Sequence, residues 1–303
     1  MYIIRLSPWV HREGYKTPPS LCHCTISFLL GVLRTFAVMF VCKVTVGLLA
    51  LLLVCSAEED SLSLLPVGEL IERANSKINR AIGETVLIEG DIAVPIGNEK
   101  NADACTAFNC KWPKSADGKV YVPYVISYPY TATQTQVIKK GLDSFSTISC
   151  IQFIPRTNEN AYINITSRDG CWSLVGRTGN MQTVSLAQNG CVFHQIIQHE
   201  LLHALGFNHE QCRSDRDNHI QVVWDNVADD NKHNFNIKQT LNLGTPYDYN
   251  SVMQYPKTAF SKNGQPTMIP IPDPNVVFGK ATQMSQNDID RLKLLYKCCE
   301  YFL

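Results

Sequence analysis

The chain has 303 residues, with 27 lysines and arginines against 27 aspartates and glutamates, and its formal net charge is zero. Apolar residues make up 45% and charged residues 18%, which is ordinary for a globular protein with a hydrophobic core. Because the sequence has no basic run and no excess of positive charge, its composition gives no support for nucleic-acid binding. The length suits one large domain or two small ones.

The N-terminal part predicts a secretory signal. Lys43 precedes an apolar run over residues 44–54, which ends in small residues up to Ala57. A basic residue, a short apolar stretch and a small residue at the cut are typical of a cleaved signal peptide. We therefore predict a start at Met39, a signal peptide over 39–57 and an upstream extension over 1–38. The product would be secreted to the extracellular space, directly or through secretory granules.

A membrane anchor over residues 26–54 is the alternative for this segment. Arg34 and Lys43 interrupt the apolar run, and the uninterrupted part is short for a bilayer span. The protein would therefore contact a membrane only if residues 26–54 are retained.

Residues 58–100 are predicted to form a short segment between the signal and the main domain, which would occupy residues 101–303. Apolar positions at mixed three- and four-residue spacing predict an amphipathic helix over 64–82. The run over 86–95 follows and contains the dipeptide Gly90-Asp91, which is also common in simple turns.

The main domain alternates between helix and strand patterns. Periodicity and β-branched runs predict helices over 133–146, 192–205 and 286–296, and strands over 150–154, 161–165 and 183–186. The last helix has Ser285 as its N-cap and Asp288 three residues later, the arrangement of a capping box. Asn164 begins a glycosylation sequon on a predicted strand, so its use stays open.

The helix predicted over 192–205 carries a metal-binding pattern. His199 and His203 lie at i and i+4, so both imidazoles leave one face of the helix, a spacing that binds a single zinc ion. Glu200 lies beside them. Gly206 can end the helix with a positive φ and return the chain so that His209 becomes a third ligand.

Three protein ligands leave a fourth coordination position open, which is typical of a catalytic zinc ion rather than a structural one. A bare H-E-x-x-H pattern arises by chance on buried helices. The longer pattern fixes five positions, and the chance of an accidental match in a chain of this length is on the order of 10⁻⁵. We therefore predict one Zn2+ per chain.

The extended motif over residues 199–217 resembles the astacin family of metalloproteases. Met253, within the run over 251–255, matches the Met-turn that the wider metzincin clan pairs with the long histidine motif. Further matching runs lie at 170–173, 243–249 and 284–290. The resemblance covers about 101–298, and the chain is similar to the six-cysteine astacins of fish, the group of the hatching enzymes (choriolysins) and nephrosin.

This resemblance implies an α+β fold. A twisted, mostly parallel sheet with an antiparallel edge strand and two long helices would enclose a zinc cleft between N- and C-terminal subdomains. The strand over 183–186 would form the rim of the cleft and pair with extended polypeptide substrates.

The resemblance also implies roles for single residues. Glu200 would take a proton from the attacking water and pass it to the leaving amine. Tyr255 would stabilise the oxyanion, and Met253 would form an apolar floor below the metal. The alternatives are a buried tyrosine with a satisfied hydroxyl and an ordinary core methionine. Gln254 departs from a common family pattern, which has histidine there, but it is not a ligand position.

By this resemblance, the chain is a secreted zinc endopeptidase that digests egg-envelope glycoproteins. A nephrosin-like protease of another tissue and a catalytically silent binding protein are the alternatives.

The stretch Ile88–Asp91 resembles the F-x-G-D stretch of astacin propeptides, with isoleucine in place of phenylalanine. Asp91 would then occupy the open zinc position and keep the enzyme latent. Activation at about Lys100–Asn101 would be carried out by a trypsin-like protease or by the enzyme itself.

Cysteine use agrees with an extracellular protein. The chain has 12 cysteines, and Cys22, Cys24, Cys42 and Cys55 lie in the part that we expect to be lost. The even number that remains, eight, predicts disulfides in a secreted domain, although sequence alone leaves many connectivities open. The resemblance implies the pairs Cys105–Cys110, Cys150–Cys298 and Cys171–Cys191. Cys212 and Cys299 are then left over, and we hypothesise a bond between them.

Four further side chains complete the interpretation. Glu210 resembles the residue that contacts the mature N-terminus in the type enzyme of the family, and the segment over 105–110 leaves that contact open. His194, His219 and His233 have no motif spacing, so we interpret them as surface or core histidines.

Overall fold

The computed structural model describes residues 64–78, 81–82, 85–96 and 110–298. The predictions for the upstream extension, the signal peptide, the membrane alternative and the cleavage point at Lys100–Asn101 lie outside these residues. Within the described residues, every helix is too short or too polar to cross a bilayer.

The described residues form four α-helices: α1 Val67–Asn75, α2 Ala132–Ile148, α3 His194–Ala204 and α4 Gln286–Tyr296. The last three agree within two residues with the predicted helices. Both α2 and α4 begin with a capping box, in which Thr131 and Ser285 each accept a hydrogen bond from the amide of the residue three positions on.

The predicted helix over 64–82 was wrong at both ends. The observed helix α1 begins after Pro66, because proline lacks an amide hydrogen and suits the start of a helix. It ends at Asn75, whose side chain bonds the carbonyls of Gly90 and Cys171 and the amide of Cys171. These long-range partners turn the chain, and residues 81–82 are a strand.

The described residues also form ten β-strands, numbered here in chain order. They are β1 Ala81–Ile82, β2 Thr85–Ile88, β3 Ile92–Pro95, β4 Val120–Ile126, β5 Ile151–Pro155, β6 Tyr162–Thr166, β7 Cys171–Ser173, β8 Met181–Leu186, β9 Ile220–Val222 and β10 Met268–Pro270. Eight of them form one sheet in the order β1-β2-β3-β7-β8-β6-β4-β5, and β9 and β10 form a separate antiparallel pair.

The part of the large sheet formed by β4–β8 is mostly parallel. Strands β4, β5, β6 and β8 pair in parallel, and β7 pairs antiparallel to β8. This α+β arrangement, with an antiparallel strand at the border, is the predicted fold class. Strand β3 then pairs in parallel with β7 through Ile92 and Ser173, and β2 and β1 extend the sheet.

The predicted position of the cleft rim was wrong. Strand β8 contains residues 183–186 but lies inside the sheet, between β6 and β7. The three-residue strand β7 covers it, with Ser173 opposite Val184 and Cys171 opposite Leu186. Such a short strand has no detectable periodicity, so the border of the sheet formed by β4–β8 could not be located from the sequence.

Helix α3 lies in the core beside α2, and this placement buries the histidine motif. A methyl group on Gly141 would lie 2.4 Å from Ile197 Cγ2, so the two helices approach closely. Ile196, Ile197, Leu201 and Leu202 of α3 are all fully buried.

Two predicted disulfides are present. Cys150–Cys298 joins the start of β5 to the end of the C-terminal helix, and Cys171–Cys191 joins β7 to the loop before α3. Cys110 is also disulfide-bonded, but its predicted partner Cys105 lies outside the described residues.

The hypothesised Cys212–Cys299 bond was wrong, because Cys212 is a free and fully buried thiol. Its Sγ donates to the carbonyl of Asn234 at 3.3 Å. The hypothesised partner, Cys299, lies outside the described residues.

Candidate metal centre

Helix α3 presents two imidazoles to one point. His199 and His203 are one turn apart, both are fully buried, and their Nε2 atoms are 3.1 Å apart. The sequence spacing predicted this arrangement.

The third histidine arrives through a sharp turn. Gly206 has φ +105°, a conformation that favours glycine, and it follows directly on the end of α3. The returning chain brings His209 Nε2 to 3.3 Å from His199 Nε2. All three predicted ligands therefore meet.

The outer nitrogen of each ring fixes its orientation. His199 Nδ1 lies 2.8 Å from the carbonyl of Val252, and His203 Nδ1 lies 2.7 Å from the carbonyl of Phe207. Because a carbonyl only accepts hydrogen bonds, both Nδ1 atoms carry the proton and both Nε2 atoms carry a lone pair. This is the usual outer arrangement of metal-binding histidines.

These nitrogens fit a small divalent ion. Four-coordinate zinc holds imidazole nitrogen at about 2.0–2.1 Å, which separates its ligand atoms by about 3.3 Å. The two measured Nε2 separations, 3.1 and 3.3 Å, match that spacing. Converging lone pairs also repel one another unless a cation lies between them. Imidazole and carboxylate ligands suit zinc among the common metals.

Asp91 is the fourth member of the cluster. Its Oδ2 lies 3.0 Å from His199 Nε2, and its Oδ1 lies 3.1 Å from His209 Nε2 and 3.6 Å from His203 Nε2. Candidate ligand atoms of Asp91 and the three histidines all lie within 4.8 Å of one another. Burial opposes ionisation of Asp91, but the neighbouring histidines, first of all the charge of His209, hold its pKa well below the usual range.

Glu200 is fully buried beside the cluster. Neither carboxylate oxygen has a hydrogen-bond partner among the described residues. Burial, and then the charge of Asp91, raise the pKa of Glu200 well above its usual value. A carboxyl group with a raised pKa next to a metal site can take up and release a proton, which fits the predicted role.

Tyr255 reaches the same centre from the C-terminal half. Its hydroxyl donates to Asp91 Oδ2 at 2.7 Å, and its ring lies 4.5 Å from that of His209, centre to centre. Burial first, and then the charge of Asp91, raise the pKa of Tyr255 well above its usual value, so its hydroxyl keeps its proton. It can therefore donate a hydrogen bond to an oxygen that gains charge.

The chain around Met253 is a buried support rather than a source of ligands. Met253 is 1% exposed and packs in the main core, and its carbonyl accepts from the amide of Glu210 at 3.0 Å. Asp288 holds the same turn by accepting from Ser251 Oγ at 2.6 Å and from the amide of Val252 at 2.8 Å. Val252 in turn bonds His199, so Asp288 supports a metal ligand as well as capping α4.

The sequence did not predict this support by Val252 and Asp288, nor a contact between Glu89 and His209. Asp288 had a local signal, as the third residue of a capped helix. The contacts of Val252 and Glu89 join residues 53 and 120 positions apart, and no local pattern marks them.

The remaining polar side chains have other partners. Gln254 accepts from the Tyr247 hydroxyl at 2.5 Å and donates to the carbonyl of Tyr255. His219 stacks on the Tyr247 ring. Among the described residues, the metal-ligand cluster consists of the residues given above and does not include His194, His219 or His233.

Known proteins resemble this chain. The family model for astacin, a family of peptidases, matches residues 107–297. The chain is 45% identical over 243 residues to the low choriolytic enzyme of Oryzias latipes, covering 80% of this chain and 87% of that protein. It is 44% identical over 216 residues to high choriolytic enzyme 1 of the same fish, covering 71% and 79%.

A solved structure is also similar. High choriolytic enzyme 1 of Oryzias latipes, described as a hatching enzyme zinc-protease, superposes with a TM-score of 0.61 at 45% identity. The match covers 62% of this chain and 95% of that structure.

Proposed function

This chain belongs to the astacin family of peptidases and is an astacin-type zinc endopeptidase related to hatching enzymes; we propose that it is secreted as a latent zymogen and digests egg-envelope glycoproteins. The observation that carries the proposal is the meeting of Asp91 with the three histidines at one buried point.

We propose that the bound ion is zinc, one per chain, held by His199, His203 and His209. When bound, it would supply Lewis acidity toward a water molecule and toward the scissile carbonyl. The near-tetrahedral spacing of the imidazole nitrogens supports this choice.

The protein's own groups would then move protons and orient the substrate. Glu200, whose carboxylate oxygens have no hydrogen-bond partner among the described residues, takes a proton from the attacking water and releases it to the leaving amine. Tyr255 donates its hydroxyl hydrogen to the oxygen that becomes negative, once it no longer donates to Asp91.

Latency would have two causes in the segment upstream of the protease domain. Asp91 occupies the position between the histidines and bonds Tyr255, so it holds the group that would assist catalysis. Strand β3 pairs with β7, and the amide of Ser173 donates to the carbonyl of Asp91 at 3.0 Å. An open strand edge is where extended polypeptides add, and here the segment takes that edge.

Cleavage at about Lys100–Asn101, by a trypsin-like protease or by the enzyme itself, would release the segment. Beside Gly90 and Tyr255 lies a cavity of about 880 Å³, also lined by Glu72, Asn234 and Phe260. Removal of the segment would join this cavity to the metal centre and leave room for an extended polypeptide.

Two observations support secretion and the substrate. The disulfides Cys150–Cys298 and Cys171–Cys191 suit an oxidising compartment. The similarity to two choriolytic enzymes favours egg-envelope glycoproteins as the substrate.

The test is peptidase activity of the activated protein on fluorogenic peptides, with and without 1,10-phenanthroline, beside Glu200→Ala and with metal content measured on the same samples. Asp229→Ala, at a surface ion pair with Lys232 inside the protease domain, is the matched loss of a carboxylate. We expect chelator-sensitive cleavage that disappears in Glu200→Ala and one zinc ion per chain. Isolated egg envelopes then test the substrate: cleavage of peptides but not of envelopes would favour a role in another tissue.

A folded protein that contains zinc and cleaves no peptide would contradict the proposal and favour a binding protein instead.

A further inference from the structure

We propose that Glu89 is a second metal-centre residue of the latent form: its carboxylate holds His209 and tightens metal binding until activation removes it. This inference rests on the proposed zymogen but concerns a different residue and a different effect from Asp91. Asp91 fills a position among the ligands, whereas Glu89 acts on a ligand from its outer side.

The contact itself is short and enclosed. Glu89 Oε2 lies 2.8 Å from His209 Nδ1, and both side chains are almost completely buried. His199 and His203 use carbonyls of the protease domain as their outer acceptors, namely those of Val252 and Phe207. His209 differs, because its acceptor in this structure belongs to the upstream segment.

The backbone around Glu89 is bent to make this contact. Glu89 has φ +54° and Gly90 has φ +95°. A left-handed conformation is unfavourable for a residue other than glycine, and it persists only where the surroundings enforce it. The Glu89 amide donates to Asn234 Oδ1 at 2.8 Å, and Lys238 Nζ lies 3.4 Å from Glu89 Oε1. The protease domain therefore holds this residue by its backbone and by both carboxylate oxygens.

A carboxylate on the outer nitrogen of a metal-binding histidine fixes the ring and makes its inner nitrogen more basic. Removing such a partner typically lowers metal affinity by about 10–100-fold. Cleavage near residue 100 would remove Glu89 together with Asp91. Activation would therefore open the metal site and also loosen the hold on the metal through His209.

The alternative is that Glu89 only docks the segment, through Lys238. The two roles separate experimentally, because Lys238→Ala removes the docking ion pair and leaves the bond to His209 in place. Glu89→Ala removes both, and Glu89→Gln keeps an amide oxygen that can still accept from His209 Nδ1.

The experiment measures zinc release from the uncleaved full chain, secreted from a eukaryotic host, into an excess of a chromogenic chelator. We compare the wild type with Glu89→Ala, Glu89→Gln, Lys238→Ala and, as the matched carboxylate control in the same segment, Glu69→Gln. We expect release about 10–100-fold faster for Glu89→Ala. The increase should be smaller for Glu89→Gln and Lys238→Ala, and absent for Glu69→Gln.

Release from Glu89→Ala at the wild-type rate would overturn the proposal, and so would equally fast release from Lys238→Ala and Glu89→Ala. Thermal unfolding of the metal-free uncleaved proteins checks folding, and Glu89→Gln keeps the test valid if Glu89→Ala does not fold. Peptidase activity of the activated wild type is a separate measurement. A failure of the proposed function would therefore appear there and not in the zinc-release rates.

Discussion

Residues 110–205 and residues 206–298 both line the metal centre and both bury apolar side chains, but the second region buries more charged ones. The first region contains the protease strands β4–β8 and the helices α2 and α3, and its core is mainly apolar. The second contains the β9–β10 pair, short 3₁₀ turns and α4. Its buried charged residues are Glu210, Arg213, Arg216, Asp248, Asp288 and Arg291.

The difference follows from the amount of regular structure. A sheet and long helices satisfy their own backbone groups and can bury apolar faces against one another. The loops of the second region lack that support, so buried ion pairs and hydrogen bonds hold them. Glu210 bonds Arg291 across 81 positions, and Ser251 bonds Asp288 across 37. These contacts fix the loops that carry His209, Met253 and Tyr255.

The largest expected effect concerns the buried charges. Arg291 and Arg213 contact Glu210, whose pKa is raised because burial outweighs the charge of Arg291. Glu210→Ala would leave these arginines buried without their partner, at a cost of about 3–5 kcal/mol. The thermal midpoint of the uncleaved protein should fall by about 6–20 °C. Asp229→Ala, at an exposed pair with Lys232, is the control and should change little.

A double replacement sharpens this prediction. Because a buried ion pair gains little over apolar side chains that fill the same space, Glu210→Met combined with Arg291→Met should unfold at a higher temperature than either single variant. If the double variant is the least stable of the three, the pair contributes net stability and our account of this region is incorrect.

The next effect tests close packing in the first region. Gly141→Ala places a methyl group 2.4 Å from Ile197 Cγ2. Alanine normally stabilises a helix relative to glycine by about 0.5–1 kcal/mol, but overpacking between α2 and α3 should cost about 1–3 kcal/mol and outweigh that gain. We expect a lower thermal midpoint. Lys139→Ala, on the exposed side of α2, is the control and should not lower the thermal midpoint. A Gly141→Ala protein as stable as the wild type would mean that the helices separate without cost.

A smaller effect concerns the start of α4, where the second region is anchored. Ser285 accepts from the amide of Asp288 and donates to Asp248 Oδ2 at 2.5 Å. Ser285→Ala should cost about 0.5–2 kcal/mol, the usual range for a lost N-cap. Thermal unfolding of Ser285→Ala would measure this loss of stability. The control is Gln286→Ala, which removes an exposed contact with Asp290. Equal midpoints for the two variants would contradict an anchoring role for the cap.

The smallest effect is expected at the surface. Lys232 pairs with Asp229 at 2.7 Å, and both side chains are largely exposed. Solvent screening and lost side-chain freedom cancel most of such an attraction. Lys232→Ala should leave the thermal midpoint unchanged within experimental error. A clear fall would show that surface pairs, and not only buried ones, support the second region.

The sequence was most informative where structure is local. It predicted α2, α3 and α4 within two residues, the capping box at Ser285 and Asp288, and the three histidines that meet at the centre. Each of these depends on a spacing within a few residues, which helical geometry converts directly into a direction in space.

The sequence was least informative where one segment meets another. The helix predicted over 64–82 ends early because Asn75 bonds Gly90 and Cys171. Strand β7, and not residues 183–186, forms the border of the protease sheet. Cys212 is an enclosed thiol rather than a disulfide partner. In each case a contact over a long stretch of chain outweighed the local pattern.

The residues around the metal centre show the same division. Spacing on one helix and a glycine turn determined that His199, His203 and His209 can share an ion, because those geometries are local. Only the folded chain decided that Val252, Phe207 and Glu89 hold the outer nitrogens and that Asp288 supports the Met253 turn. Such contacts depend on how loops far apart in sequence pack together, and packing of that kind leaves no periodic signal in the chain.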